Sequence, residues 1–151
     1  MENAINHLFQ TRKNIINLLK SFENKLHVIP EGFSNNLYWN AAHCLATQQL
    51  LCYGMSGLKL AYESEFIDAF RKGSKANGDR VSTEQFTWLI DELEQSVYKM
   101  KADYESGLFK EFKEYPTSYG VTLKSSEDAI EFNTVHEGLH LGYMMALRKM
   151  L

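Results

Sequence analysis

Apolar residues recur every three or four positions over long stretches of the chain, the period of helices that bury one face. In the first stretch, about Glu2 to Leu26, the residues Ile5, Leu8, Phe9, Ile15, Leu18, Leu19, Phe22 and Leu26 keep that period, and Pro30 and Gly32 end it. Ser34 is placed to cap a second helix that continues to about Gly57. A third is predicted from Ser82, where Ser82-Thr83-Glu84-Gln85 fits a capping box, to about Gly107. Phe86, Leu89, Ile90, Leu93, Val97, Met100 and Tyr104 share one face of it. Gly107, Pro116 and Gly120 punctuate the next connection. The fourth helix starts at Ser125 or Ser126 and runs to Leu151. It carries Glu127 and Asp128 in its first turn and Arg148 and Lys149 in its last, so charge opposes the helix dipole at both ends.

Four amphipathic helices predict an all-α fold, a four-helix bundle with residues 1–151 as one domain. The short link between the first two helices predicts antiparallel neighbours. The connection from Leu58 to Val81 is much longer and includes a helical segment around Ser64–Phe70. At about 3.3–3.6 Å per extended residue it can return the length of a helix, which rises about 1.5 Å per residue. That length allows a crossover placing helices two and three parallel; a lid or a dimer contact is the alternative.

Composition narrows the class. Lys and Arg total 16 against 19 Asp and Glu, a net charge of −3, which argues against a dedicated nucleic-acid binder. Hydrophobic residues at 44% and charged residues at 23% predict a folded chain. No apolar run approaches the roughly 18 residues of a membrane-spanning helix. The start, MENAINHLFQTRKN, has no signal-peptide pattern, and two cysteines make no disulfide framework, so a cytoplasmic location is expected. Cys44 and Cys52 are expected to behave as small buried hydrophobes.

The five histidines bear the candidate chemistry. His136 and His140 lie four residues apart on the fourth helix, one turn apart on the same face, where two imidazoles can bind one metal ion. Phe132, Leu139, Tyr143 and Leu147 surround them, so this face is expected to point into the bundle. Burying two imidazoles without partners is costly, and a shared metal satisfies both. Helix two is apolar nearly all round, but Asn36, Asn40, His43 and Thr47 draw a polar line along it at steps of four, three and four. His43 and the helix-four pair both lie near mid-helix and can share one level. Three neutral imidazoles and an open position make a catalytic rather than a structural metal site.

His136-Glu137-x-x-His140 also matches the HExxH pattern of zinc proteases. That chemistry needs a third ligand downstream, where this chain has Tyr143 and Ala146 in place of a glycine and a histidine. Glu137 lies about 100° around the helix from His136. It is expected as a solvent-side or interface carboxylate, and it is a weak candidate for a catalytic role. His7 and His27 sit near opposite ends of the first stretch and are expected at the surface or at a helix end. Trp39 fits either the core or a pocket wall.

Leu37-Tyr38-Trp39-Asn40-Ala41-Ala42-His43, His136-Glu137-Gly138-Leu139-His140-Leu141-Gly142 and the Ala146-Leu147-Arg148-Lys149 ending together resemble the DinB-like superfamily of small four-helix-bundle metal proteins. The resemblance covers essentially the whole chain. It implies an up-down-down-up bundle and a divalent metal, zinc or nickel among others, held by His43, His136 and His140. Its characterised members include transferases and isomerases that use bacillithiol, mycothiol or glutathione-like thiols; many others are catalogued as metal-dependent hydrolases, and dimers are common. Tyr143 stands where family members often carry Gln, a departure on the substrate side of the pocket.

The expectation is therefore a metal-dependent enzyme in which metal-bound water or a low-molecular-weight thiol acts as nucleophile, for hydrolysis or thiol transfer. Asn40, Thr47 and Tyr143 are candidate substrate-binding groups. The expected partners are a small-molecule substrate and, in a homodimer, a second copy; no nucleic acid or membrane is expected. The alternative is a metal-binding stress-response or interaction module without turnover.

Overall fold

The computed structural model describes all 151 residues, and they are predominantly helical. The long helices are α1 (Glu2–Ser21), α2 (Leu37–Gln48), α4 (Thr83–Glu105) and α5 (Ser126–Leu147); α3 (Ser64–Phe70) is a short helix within the long connection. A turn of 3-10 helix, Glu23–Lys25, follows α1. One turn of π-helix, Gln49–Gly54, extends α2. Two-residue strands β1 (Tyr115–Pro116) and β2 (Thr122–Leu123) pair antiparallel, Tyr115 opposite Leu123. Gly120, with φ +92°, makes their tight turn. No helix is long and apolar enough to cross a membrane.

Local chemistry sets the helix starts. Ser82 accepts from the Gln85 amide at 3.2 Å, and the Gln85 side chain accepts from the Ser82 amide at 2.9 Å, the expected capping box. Ser125 caps α5 by accepting from the Asp128 amide at 3.1 Å. The cap of α2 is Asn36 and not Ser34: its carboxamide oxygen accepts from the Trp39 amide at 2.8 Å. That oxygen is then committed, and its amide group donates to the His27 carbonyl at 3.0 Å.

Two apolar layers fill the interior. One joins Ile15, Leu19 and Leu26 of the first stretch to Leu37 and Leu45 of α2, Leu89 and Leu93 of α4, and Met144 and Leu147 of α5. The other joins Ile5 and Leu8 to Leu51 and Cys52, Val97 and Met100, and Ala129 and Ile130. Cys44 and Cys52 are buried and free, as expected, and burial pushes the Cys52 thiol up to about 12. α1 packs chiefly on α5 and α4, and α2 also packs on α5 and α4. α1 and α2 touch little, which corrects the expectation that a short link makes them neighbours. The two ends of the link Leu26–Asn36 meet, since the Leu26 carbonyl accepts from the Tyr38 amide at 3.2 Å.

Between the layers lies a buried polar centre. Arg12, 1% exposed, sits on the apolar stripe of α1 between Leu8 and Ile15. Its Nε and Nη2 donate to the two carboxylate oxygens of Glu137 at 2.5 and 2.7 Å. Nη1 donates to the Leu93 carbonyl at 3.3 Å, and Nη2 donates also to Gln48 Oε1 at 3.2 Å. Gln48 donates on to the Ser96 carbonyl at 3.2 Å, and Asn133 donates to Glu137 at 2.8 Å. All four long helices therefore meet at one ion pair. Glu137 is fully buried, which corrects its expected solvent-side or interface position.

Removing one partner of such a pair strands a buried charge, at a cost of about 3–5 kcal/mol. Arg12→Leu is expected to lose that much in urea denaturation, and Arg12→Leu/Glu137→Leu to recover most of it. A double-variant loss equal to the sum of the Arg12→Leu and Glu137→Leu losses would show that the pair is not coupled.

Candidate metal centre

The buried pair orients α5. With Glu137 turned inward, the core face of that helix is Ala129, Ile130, Asn133, Glu137, Met144 and Leu147. His136 and His140 are consequently turned into the groove between α5 and α2, half-buried, while Leu139 and Tyr143 are exposed. The expectation that the histidine face points into the bundle is corrected here. Apolar residues surround α5 on every side, so hydrophobicity alone could not identify its buried stripe.

His43 of α2 meets the pair across the groove. Ligand atoms of the three imidazoles all lie within 4.8 Å of one another, and the Nε2 atoms of His43 and His136 are 3.2 Å apart. Two nitrogens at about 2.0–2.1 Å from one tetrahedral ion are separated by about 3.3–3.4 Å, so the donor set fits a transition metal. His7 and His27 stay outside the cluster.

The surroundings choose which nitrogen faces the centre. His43 Nδ1 lies 2.5 Å from the Phe70 carbonyl, which only accepts, so Nδ1 bears the proton and Nε2 the lone pair. Trp39 stacks on the same ring, centroids 4.7 Å apart and planes within 10°. The indole is itself pinned, its N–H 3.2 Å from both the Ala69 carbonyl and Ser74 Oγ. Trp39 thus belongs to the core and backs the site at once. For His140 the orienting group is Asn40. The Asn40 amide donates to the Asn36 carbonyl at 2.7 Å, so its oxygen faces His140 Nδ1 at 2.9 Å and accepts from it. Outer partners of this kind fix the tautomer of a metal-binding histidine. His136 Nδ1 is buried without a partner.

All three imidazoles are held neutral. Burial, then the neighbouring His140 and His43, pushes His136 down to about 2. Burial and His43 push His140 down to about 4. Burial lowers His43 as well, against the opposing bond to Phe70. Neutral imidazole is the form that binds metal.

A cavity of about 480 Å³ opens beside the cluster, within the range of small-molecule sites. Thr47 lines it, and its hydroxyl donates to His43 Nε2 at 3.3 Å. The other two expected substrate groups lie elsewhere. Asn40 is 1% exposed behind His140, and Tyr143 borders a more open groove on the far flank of that ring, its edge against Phe33. The rest of the cavity wall is not legible in the sequence: the π-helical turn, Lys72, and the hairpin residues Tyr115, Thr117, Ser118 and Tyr119. No periodicity marks Lys72 or the hairpin. Lys72 and the hairpin lie in connecting segments, and the π turn falls where the sequence reads as the plain continuation of helix two. The hairpin is moored to the end of the π turn by the Lys113 amide, which donates to the Met55 carbonyl at 2.6 Å.

The family model that matches is described as the DinB superfamily and covers residues 7–144, a span that includes all three histidines. No curated protein matches the chain.

Two outcomes are expected. Asn40→Leu removes the acceptor for His140 Nδ1 and lowers metal affinity about 10- to 100-fold in chelator competition; unchanged affinity would rule out an orienting role. In metal-free protein the depressed histidine pKa values make stability depend on pH. The unfolded chain binds protons near 6.5 that the folded chain excludes. The histidine contribution is thus fully present above about 6.5 and is lost progressively below it, down to about 4 for His140 and about 2 for His136. Urea midpoints of the wild type should fall more steeply over that window than those of His136→Gln/His140→Gln.

Proposed function

The chain belongs to the DinB superfamily, and from that premise we propose that it is a metal-dependent enzyme in which His43, His136 and His140 hold a divalent transition metal beside a small-molecule cavity. The reading includes an up-down-down-up four-helix bundle. It is supported by the two core layers, which α1 and α5 enter in one order along the chain and α2 and α4 in the other. The long connection is then the crossover between the parallel helices α2 and α4. A homodimer in the cytoplasm, with zinc or nickel as the metal, completes the proposal.

The observation that carries it is the opening of the three-histidine cluster onto a walled cavity; a structural site would be closed. When bound, the metal supplies Lewis acidity, which brings the pKa of water or of a low-molecular-weight thiol toward neutrality for hydrolysis or thiol transfer. The chain's own groups position and protect. Phe70 and Trp39 hold the His43 ring, Asn40 holds His140, and the Thr47 hydroxyl stands at the cavity side of His43. Leu50, Leu51, Phe132 and Leu139 give the cavity apolar walls. No carboxylate lines it, and Glu137 is committed to Arg12, so an HExxH-type general base plays no part in this mechanism.

Purified protein is expected to contain about one metal ion per chain by elemental analysis, and a His43→Ala/His136→Ala/His140→Ala variant to contain almost none. Screening the loaded wild type with thiols and electrophiles should yield conjugate that disappears with the metal. Full occupancy in the triple variant would end the site assignment. Saturable binding without product would leave a metal-binding module in place of an enzyme.

A further inference from the structure

The cavity beside the histidines has a one-sided chemistry. Leu50, Leu51, Met55, Phe132 and Leu139 make it largely apolar, and apart from the imidazoles Lys72 is the only titratable cation on its wall. No Asp or Glu lines it. Lys72 is exposed and takes part in none of the chain's ion pairs. Its position is tied to the histidine cluster: it follows by two residues the carbonyl of Phe70, which holds His43 Nδ1 at 2.5 Å. The segment that orients one histidine therefore also sets a free cation at the cavity wall.

We propose that the cavity accepts an amphipathic carboxylate, its apolar body lying along Leu50, Leu51, Phe132 and Leu139 and its carboxylate on Lys72. The proposal rests on the reading of this cavity as a small-molecule site and deepens it by naming the ligand class. A single lysine matches a monoanion. The Ser118 hydroxyl, on the same wall, is a donor suited to a carboxylate oxygen, whereas that of Thr117 is spent on the Val121 carbonyl at 2.7 Å. A cationic ligand would face Lys72 with no carboxylate to offset the repulsion. A neutral apolar ligand gains the same walls but leaves the lysine in water. Lys72 thus selects among ligands of equal apolar size.

Equilibrium dialysis with octanoate, octan-1-ol and octylammonium tests this on metal-free and metal-loaded protein. Octanoate is expected to bind about threefold to fivefold more tightly than octanol, the scale of an exposed ion pair, with the preference reduced by salt. Octylammonium is expected to bind most weakly. Lys72→Gln should abolish the preference for octanoate and Lys72→Glu should reverse it, with octanol affinity and metal content unchanged in both. Equal affinity for octanoate and octanol in the wild type would overturn the proposal. So would a preference that survives Lys72→Glu, or one that exists only in the metal-loaded protein, since the carboxylate would then sit on the metal. Failure of the protein to load metal would defeat the functional reading while the metal-free titration still decided the role of Lys72.

Discussion

A guanidinium and a carboxylate enclosed in an apolar helical interior must be satisfied by fixed neighbours, because burial takes them out of bulk water. Arg12 and Glu137 meet that condition with donors and acceptors drawn from α1, α2, α4 and α5. Apolar side chains tolerate rotation and sliding of one helix on another; a bidentate ion pair with directional bonds does not. The pair therefore sets the rotation of α5 about its axis and its height relative to α1 and α2. A slip by one helical turn would leave two charges buried and unpaired.

The same constraint builds the histidine cluster. Glu137 directly follows His136, so a rotation that directs the carboxylate to Arg12 turns His136 and His140 outward into the α2–α5 groove. His43 is aligned from the other side, because Gln48, five residues further along α2, is bonded into the same polar centre. Core and site share one register. The outer supports come from elsewhere: Asn40 from α2 itself, and the Phe70 carbonyl from the connection that includes α3. A stretch that spacing alone left open as crossover, lid or dimer contact is in fact part of the wall and support of the site.

Legibility followed the range of the interactions. Helix starts at Ser82 and Ser125 depend on bonds three residues apart and were readable from the chain. The polar line Asn36, Asn40, His43 and Thr47 was equally plain, since all four fall on one face of an otherwise apolar helix. The buried face of α5 was not readable, because its hydrophobic residues leave no polar side to contrast with. Arg12 did leave a trace: a lone charge at the spacing of Leu8, Ile15 and Leu19. An arginine there can equally extend its stem along the surface and keep its charge in water.

The sequence by itself determined the all-helical class, the positions of the long helices and the three histidines with metal-binding spacing. These follow from local hydrogen bonding and from periodicity, which act within a few residues. The tertiary structure decided which way α5 faces, that α1 packs on α5 and α4 more than on α2, that Glu137 serves the core, and that Lys72 and the hairpin wall the cavity. Each of those outcomes depends on groups distant in the chain satisfying one another, as Arg12 and Glu137 do across 125 residues. No local pattern encodes such a pairing until the helices have packed.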